Sequence, residues 1–204
     1  MPEFNCLIGG NLRELLSVLT LRVRVLSVLQ IARTWPSAVT ALGRLEREGM
    51  IYTFTVAVHP ELELTNPVAR WSKGDAPPNF AAASYALRAR WNKPAITARC
   101  IIATRAAGRM FGGHGGRYPR ESEETHDLHL AAVYLCYRAT SPELAASWVH
   151  EEEIKRERKQ RKGKLPDALI SKTKVIEFGG AYKKQKLMAF HKYCEAQGFE
   201  YEVW

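Results

Sequence analysis

The chain lacks the features that would assign it to a membrane, a disulfide framework or a zinc site. No apolar run approaches the roughly 18 uncharged residues of a membrane span, and no charged segment leads into a long apolar run at the N-terminus. The four cysteines, Cys6, Cys100, Cys136 and Cys194, lie far apart and form no CxxC pair. The sequence therefore predicts a cytoplasmic protein with reduced thiols and no membrane partner.

A phosphate-binding signature is also missing. The segment Gly112–Gly116 contains four glycines, but no Gly-Lys-Ser or Gly-Lys-Thr follows it. The pattern therefore predicts a loop and not a nucleotide-binding cradle.

Basic residues are in excess. Thirty Lys and Arg residues against 21 Asp and Glu residues leave a net charge of +9. Such a balance favours polyanionic partners, with nucleic acid as the first candidate and a membrane surface as the second. A chain of 204 residues with 46% hydrophobic residues is long and apolar enough for two small folded domains.

Helical periodicity dominates the first fifty residues. Asn11 is a plausible helix N-cap, and leucines follow it at helical spacing. A second apolar segment, Val25–Ile31, ends before Pro36, and a third helix is predicted from Ser37 to a stop at Gly49. The alternating residues 51–58 then predict a strand.

A wing-like hairpin is predicted after this strand. The run Glu63–Trp71 is expected to return antiparallel to it, and the polar, Pro-containing stretch Ser72–Asn79 predicts a linker. These elements place the domain boundaries at residues 1–75 and 80–204.

The segment Leu29–Ile51 resembles the helix-turn-helix and the start of the wing in winged-helix proteins. The resemblance implies binding to double-stranded DNA, with the third helix in the major groove. It places Ser37, Thr40, Ala41 and Arg44 toward the groove, where Arg44 can read a guanine edge, while Arg33 or Arg47 can hold phosphates. Many winged helices instead bind protein or only dimerise, so a homodimer stays open as a partner.

The second half mixes helices and strands. Residues 95–107 fit a helix or a strand, and residues 151–164 form a charged stretch, acidic first and basic later. The other predicted elements are helices at 80–91, 125–140 and 182–196, strands at 167–170, 175–178 and 201–204, a turn at 171–173 and a helix stop at Gly198.

Two acids lie in consecutive predicted strands. Pro166-Asp167, followed ten residues later by Glu177, resembles the Pro-Asp…(Asp/Glu)-x-Lys core of restriction-like nucleases. The resemblance implies two carboxylates that hold a divalent metal, which activates water and stabilises the charged phosphate. The usual lysine is replaced by Gly179, and Lys183, Lys184 or Lys186 are the candidate substitutes. A strand hairpin with two ordinary surface acids is the open alternative.

A closer resemblance covers most of the chain. The winged helix, the segment His126-Asp127-Leu128, the charged stretch, Pro166-Asp167-Ala168, Val175-Ile176-Glu177 and a Lys-rich helix containing Tyr193 look like the replication-relaxation family of plasmid and mobile-element proteins. This resemblance implies a DNA-associated role in plasmid, phage or integrative-element maintenance.

The predicted fold is therefore α/β (α+β), with a winged helix followed by a small mixed sheet that has a restriction-endonuclease-like core. The leading function is DNA binding without efficient catalysis, in replication, mobilisation or its control. The alternatives are a DNA endonuclease, with Asp167 and Glu177 as metal ligands and Lys183 and Lys186 as catalytic cations, and a protein-interaction adaptor. No cofactor follows from the sequence unless the second domain is catalytic, in which case the resemblance implies Mg²⁺.

Overall fold

The computed structural model describes residues 9–157 and 165–204 as a mixed α/β protein, which confirms the predicted class in its coarse form. The elements in chain order are α1 (Gly10–Leu21), β1 (Leu26–Ser27), α2 (Val28–Thr34), α3 (Pro36–Val39), α4 (Leu42–Arg47), β2 (Ile51–Val58), β3 (Ala69–Trp71), α5 (Phe80–Ala89), β4 (Ile96–Ala103), α6 (Arg105–Phe111), α7 (Glu121–Thr140), α8 (Pro142–Ala146), β5 (Val149–His150), α9 (Glu151–Glu157), β6 (Ala168–Ile170), β7 (Lys174–Glu177), α10 (Lys184–Gln197) and β8 (Glu200–Val203). None of the helices within these described residues has the length and apolar character that crossing a membrane requires.

The chain divides into two compact units that alternate along the sequence. Unit 1 runs up to Val58 and resumes with Ala95–Ala131, whereas unit 2 comprises His59–Pro94 and Ala132–Trp204. These boundaries differ from the predicted domains, residues 1–75 and 80–204. The difference arises because β4, which belongs to the sheet of unit 1, lies beyond residue 80.

Local sequence signals explain the first helices of unit 1. Helix α1 begins at Gly10, so Asn11 lies in its first turn and is not the N-cap. The segment Val25–Ile31 divides into β1 and α2, because Ser27 and Gln30 form a reciprocal capping box at the start of α2. Such a box satisfies two backbone N–H groups that would otherwise have no partner.

The predicted third helix is two short helices. Helices α3 and α4 are separated by Thr40 and Ala41, and their buried positions are Ala38, Leu42 and Leu45. Gly49 has a φ of 68° and follows α4 as its stop, as predicted. The break leaves the apolar side of both helices facing the core of unit 1.

The sheet of unit 1 has the order β1-β4-β2 with antiparallel pairs. Strand β2 pairs with β4 over its whole length, from Ile51 opposite Ala103 to Val58 opposite Ile96. The prediction that Glu63–Trp71 returns against β2 was therefore wrong. Residues 95–107, which fit either a helix or a strand, form strand β4 followed by the first residues of α6. The run 63–71 contains Pro67 and provides a strand of only three residues, so it cannot match the eight residues of β2.

The glycine-rich loop after α6 packs tightly against backbone. The His114 N–H donates to the Thr20 carbonyl at 2.8 Å, and the Gly116 N–H donates to the Ala103 carbonyl at 2.7 Å. A Cβ at position 113 would lie 2.2 Å from the Thr20 carbonyl oxygen, and one at position 115 would lie 2.2 Å from that of Thr104. The glycines allow this loop to approach α1 and β4 closely.

Unit 2 contains a mixed sheet of order β3-β8-β7-β6-β5, in which only the pair of β7 and β8 is parallel. Helix α10 connects these two strands, as a parallel pair requires. The apolar cluster that includes Leu87, Val175, Leu187 and Val203 joins α5 and α10 to the sheet. The predicted mixed sheet is thereby confirmed.

The last elements agree with the sequence pattern within a few residues. Strands β6 and β7 form a hairpin whose turn residues Ser171 and Lys172 have positive φ, and Gly198 ends α10 with a φ of 71°. Helix α10 begins at Lys184, two residues later than predicted. Of the charged stretch 151–164, the structure places α9, whereas residues 158–164 lie outside the described residues.

Candidate nucleic-acid interface and carboxylate pair

The five predicted DNA-contacting residues lie on one succession of short helices in unit 1. Arg33 is in the last turn of α2, Ser37 is on α3, Thr40 follows α3, and Arg44 and Arg47 are on α4. All five are exposed, while the opposite side of α3 and α4 is buried. Exposure on one side and burial on the other is what a helix that contacts a partner requires.

Side chains and backbone groups of unit 1 form hydrogen bonds or ion pairs with several of these residues. The Ser37 hydroxyl accepts a hydrogen bond from the Asn11 side-chain amide at 2.8 Å, and the Thr40 hydroxyl donates to the Ser37 carbonyl at 3.2 Å. Arg44 pairs with Glu48 at 3.3 Å, with both side chains more than a quarter exposed. Exposed pairs of this kind contribute little to stability. A phosphate or a base edge can therefore compete for Arg44.

Arg99 is an exposed cation of β4 that the sequence interpretation missed. The backbone N–H of Thr53 donates to the Glu46 carboxylate at 3.0 Å, which ties α4 to β2. In the ladder of β2 and β4, Thr53 pairs with Ile101 and Thr55 pairs with Arg99. Alternate residues of a strand share a face, so Arg99 lies on the same face of β4 as Ile101, the residue that pairs with Thr53. It became recognisable only once residues 96–103 were known to be a strand.

In unit 2 the structure brings the two predicted acids together. Ala168 pairs with Ile176, Asp167 comes directly before Ala168, and Glu177 comes directly after Ile176, so the two acids lie at the same end of the hairpin of β6 and β7. Asp167 is partly buried and Glu177 is fully buried. The two side chains therefore form a carboxylate pair, a name used below for Asp167 and Glu177.

Hydrogen-bond donors of the chain itself contact this carboxylate pair. The Phe178 N–H donates to Asp167 Oδ2 at 2.7 Å, and the Tyr182 hydroxyl donates to Glu177 Oε1 at 2.6 Å. Burial, followed by the Glu177 and Asp167 carboxylates, raises the pKa of the Tyr182 hydroxyl above its ordinary value. Tyr182 therefore stays a neutral donor throughout the physiological pH range.

The predicted substitute lysines lie around Tyr182. Lys186 Nζ lies over the Tyr182 ring, 3.4 Å from its centroid, while Lys183 is exposed at the start of α10. A cation at this position is attracted to the face of the ring. Lys186 is thus brought to the residue that contacts the carboxylate pair.

Position 179, where the nuclease resemblance leads one to expect a lysine, is surrounded by core side chains. A Cβ at position 179 would lie 2.9 Å from Leu87 Cδ2 and 3.0 Å from Val203 Cγ1. The carbonyl of Gly179 also accepts a hydrogen bond from Arg90, which donates to the Trp204 carbonyl at 3.0 Å as well. Burial lowers the pKa of the Arg90 guanidinium to about 10, so it remains charged near neutrality. Glycine at 179 therefore suits the packing of unit 2.

Donors of the protein already engage part of the predicted metal site. No group of three or more His, Cys, Asp and Glu side chains that could hold a metal ion occurs in residues 9–157 and 165–204. One oxygen of each carboxylate in the pair already accepts a hydrogen bond from the protein. Mg²⁺ demands octahedral oxygen coordination and would compete with these two donors, and the metal site at Asp167 and Glu177 stays a prediction.

Introducing lysine at position 179 is expected to lower the free energy of unfolding by about 1–3 kcal/mol, because the side chain would be forced between Leu87 and Val203. We expect no Mg²⁺-dependent nicking of plasmid by Gly179→Lys. The matched control is Gly180→Lys, since the nearest atom to a Cβ there is Tyr182 Cε1 at 3.8 Å. Urea unfolding followed by circular dichroism compares them, and equal stability of the two variants would contradict this account.

Comparison with protein-family models, with curated proteins and with solved structures returns no match for this chain.

Proposed function

We propose that the protein binds double-stranded DNA through unit 1, and that the carboxylate pair of unit 2 belongs to a degenerate nuclease-like core. The observation that carries the proposal is the placement of Arg33, Ser37, Thr40, Arg44 and Arg47 on the exposed side of α2–α4. A helix-turn-helix binds DNA in this way, with its apolar side in the core and its outer side in the major groove.

The topology of unit 1 supports a winged-helix interpretation. Helix α1 is followed by β1, then by the helices α2–α4, and then by β2 and β4, which pair in the sheet order β1-β4-β2. The wing of such a protein is the connection between the last two strands. Here that connection contains β3 and α5, which belong to unit 2. The proposed wing is therefore a long insertion and not a tight hairpin.

Electrostatics supplies the affinity and the helices supply the specificity. With a net charge of +9, the protein releases counterions from the DNA backbone when its cations contact phosphates. Arg44 is proposed to read a base edge, whereas Arg33, Arg47 and Arg99 are proposed to contact phosphates. A role in replication or mobilisation of a plasmid, phage or integrative element follows from the proposed membership of the replication-relaxation family.

We expect Arg44→Ala to weaken binding to a selected DNA duplex by about tenfold and to relax its sequence preference, because one bidentate base contact is lost. Arg47→Ala is expected to weaken all duplexes alike and to reduce the salt slope by about 1. Fluorescence anisotropy over a range of salt concentrations, on duplexes from an in vitro selection, measures both effects.

The control is Arg88→Ala, which removes one exposed arginine from α5 in unit 2. If this variant loses as much affinity as Arg44→Ala, binding depends on net charge and the proposed interface is wrong. If the wild-type protein binds no duplex, a protein-interaction adaptor becomes the better function.

A metal-dependent DNA endonuclease is the second candidate, and the position of Asp167 and Glu177 at the same end of one hairpin favours it. The same preparations are incubated with supercoiled plasmid and Mg²⁺ or Mn²⁺, alongside Asp167→Ala and Glu177→Ala. We expect retardation of the plasmid without nicking. Nicking by the wild type that both variants lose would establish the endonuclease instead.

A further inference from the structure

The surroundings of Tyr182 hold its hydroxyl against the carboxylate pair. The Ser84 hydroxyl donates to the Tyr182 carbonyl at 2.9 Å, and the Tyr182 N–H donates to the Gly180 carbonyl at 2.7 Å. Lys186 covers one face of the ring. The residue is thus fixed through its backbone and its ring, and its hydroxyl points at Glu177 Oε1.

We infer that Tyr182 takes the place of a divalent cation beside Asp167 and Glu177, so that unit 2 keeps its carboxylate pair closed to metal. A cation between two carboxylates reduces their mutual repulsion and satisfies their lone pairs. In this chain the Tyr182 hydroxyl and the Phe178 N–H each satisfy one oxygen of the pair. Charge-assisted hydrogen bonds of this kind are short and strong, and a metal would have to compete with them.

The hydrogen bond between Tyr182 and Glu177 also gives the carboxylate pair a structural role. Tyr182 lies between β7 and α10, so its bond to Glu177 joins the end of the strand to the start of the helix. Lys183, Lys184 and Lys186 occupy that start of the helix. The carboxylate pair thereby positions the lysine-rich end of α10 and performs no hydrolysis.

This inference concerns unit 2 and does not depend on DNA binding by unit 1. Its test uses the full-length protein and Mn²⁺ alone, without DNA, and follows free Mn²⁺ by electron paramagnetic resonance. The variants are Tyr182→Phe, which removes only the hydroxyl, Glu177→Gln, and the double variant Tyr182→Phe/Glu177→Gln. Tyr193→Phe is the matched control, because it removes a hydroxyl from a partly buried tyrosine of α10, the helix that follows Tyr182.

We expect the wild type and Tyr193→Phe to show only weak, non-stoichiometric Mn²⁺ binding. Tyr182→Phe is expected to bind one Mn²⁺ per chain with affinity tighter by about tenfold or more, because one hydrogen bond to a charged group no longer competes. The double variant is expected to lose this gain, since carboxylate oxygens are the ligands that Mn²⁺ prefers.

Two results would overturn the inference. Stoichiometric Mn²⁺ binding by the wild type, lost in Glu177→Gln, would show that the pair is already a metal centre. Unchanged Mn²⁺ binding in a folded Tyr182→Phe variant would show that the hydroxyl does not exclude the ion. The first result requires no Tyr182 variant, so the inference can fail even if Tyr182→Phe does not fold.

Discussion

Gly113→Ala is expected to lower the free energy of unfolding by about 3 kcal/mol or more, at or above the upper end of ordinary overpacking. The added Cβ would lie 2.2 Å from the Thr20 carbonyl oxygen and 2.7 Å from its carbonyl carbon. Both are backbone atoms near the end of α1, where Thr20 is fully buried. Because backbone cannot rotate away as a side chain can, either the loop or α1 must shift.

Urea unfolding followed by circular dichroism measures this loss, and Gly43→Ala is the control. Gly43 lies on the exposed side of α4, and no atom lies within 4 Å of a Cβ there. Alanine is expected to stabilise this helix by about 0.5–1 kcal/mol. If both alanine variants change stability equally, the loop is not packed as described.

Arg24→Met is expected to cost about 3–5 kcal/mol, because it removes one partner from a largely buried ion pair. Arg24 Nη1 lies 2.6 Å from Asp127 Oδ2 and 3.3 Å from Glu123 Oε2, and the Arg24 and Asp127 side chains are 12% and 9% exposed. Without the guanidinium, the Asp127 carboxylate keeps its desolvation cost and loses its strongest counter-charge.

Thermal and urea unfolding test this expectation, with Arg13→Met as a surface control whose effect should stay within about 0.5 kcal/mol. Arg24→Met/Asp127→Asn is expected to recover part of the loss, because the uncompensated charge is removed. A double variant that is less stable than Arg24→Met would contradict the ion-pair explanation.

The segment His126-Asp127-Leu128 has a structural role in unit 1. Asp127 binds Arg24, Leu128 packs in the cluster with Val25 and Cys100, and the Leu128 carbonyl accepts a hydrogen bond from the Gln30 side chain at 2.9 Å. Gln30 also belongs to the capping box of α2. The segment therefore braces α2 within unit 1, and the sequence alone could not assign this role because the partners lie about one hundred residues away.

Local chemistry accounts for the predictions that succeeded. The turn at Ser171 and Lys172 and the helix stop at Gly198 act over a few residues, so the pattern of β6, β7 and α10 was readable. The turn also sets the register that brings Asp167 and Glu177 to the same end of the hairpin. The proximity of the two acids therefore follows from local sequence, whereas a metal site on them stays a prediction.

Long-range pairing accounts for the predictions that failed. The sequence pattern predicts that Glu63–Trp71 is the partner of β2. The observed partner of β2 is β4, and β3 pairs with β8. Tyr182 was placed inside a helix, although α10 begins only at Lys184. Tyr182 lies in the loop between β7 and α10, and its hydrogen bond to Glu177 depends on the conformation of that loop. Helical or strand periodicity does not indicate such a contact.

The alternation of the two units along the chain has a consequence for biosynthesis. A ribosome extends the chain by about 5–20 residues per second from the N-terminus. Strand β2 is made well before β4, and Ala69 of β3 must wait for Val203 of β8. Strands β2 and β3 therefore present an open edge until β4 and β8 are translated, and exposed edges of this kind favour aggregation of a nascent chain.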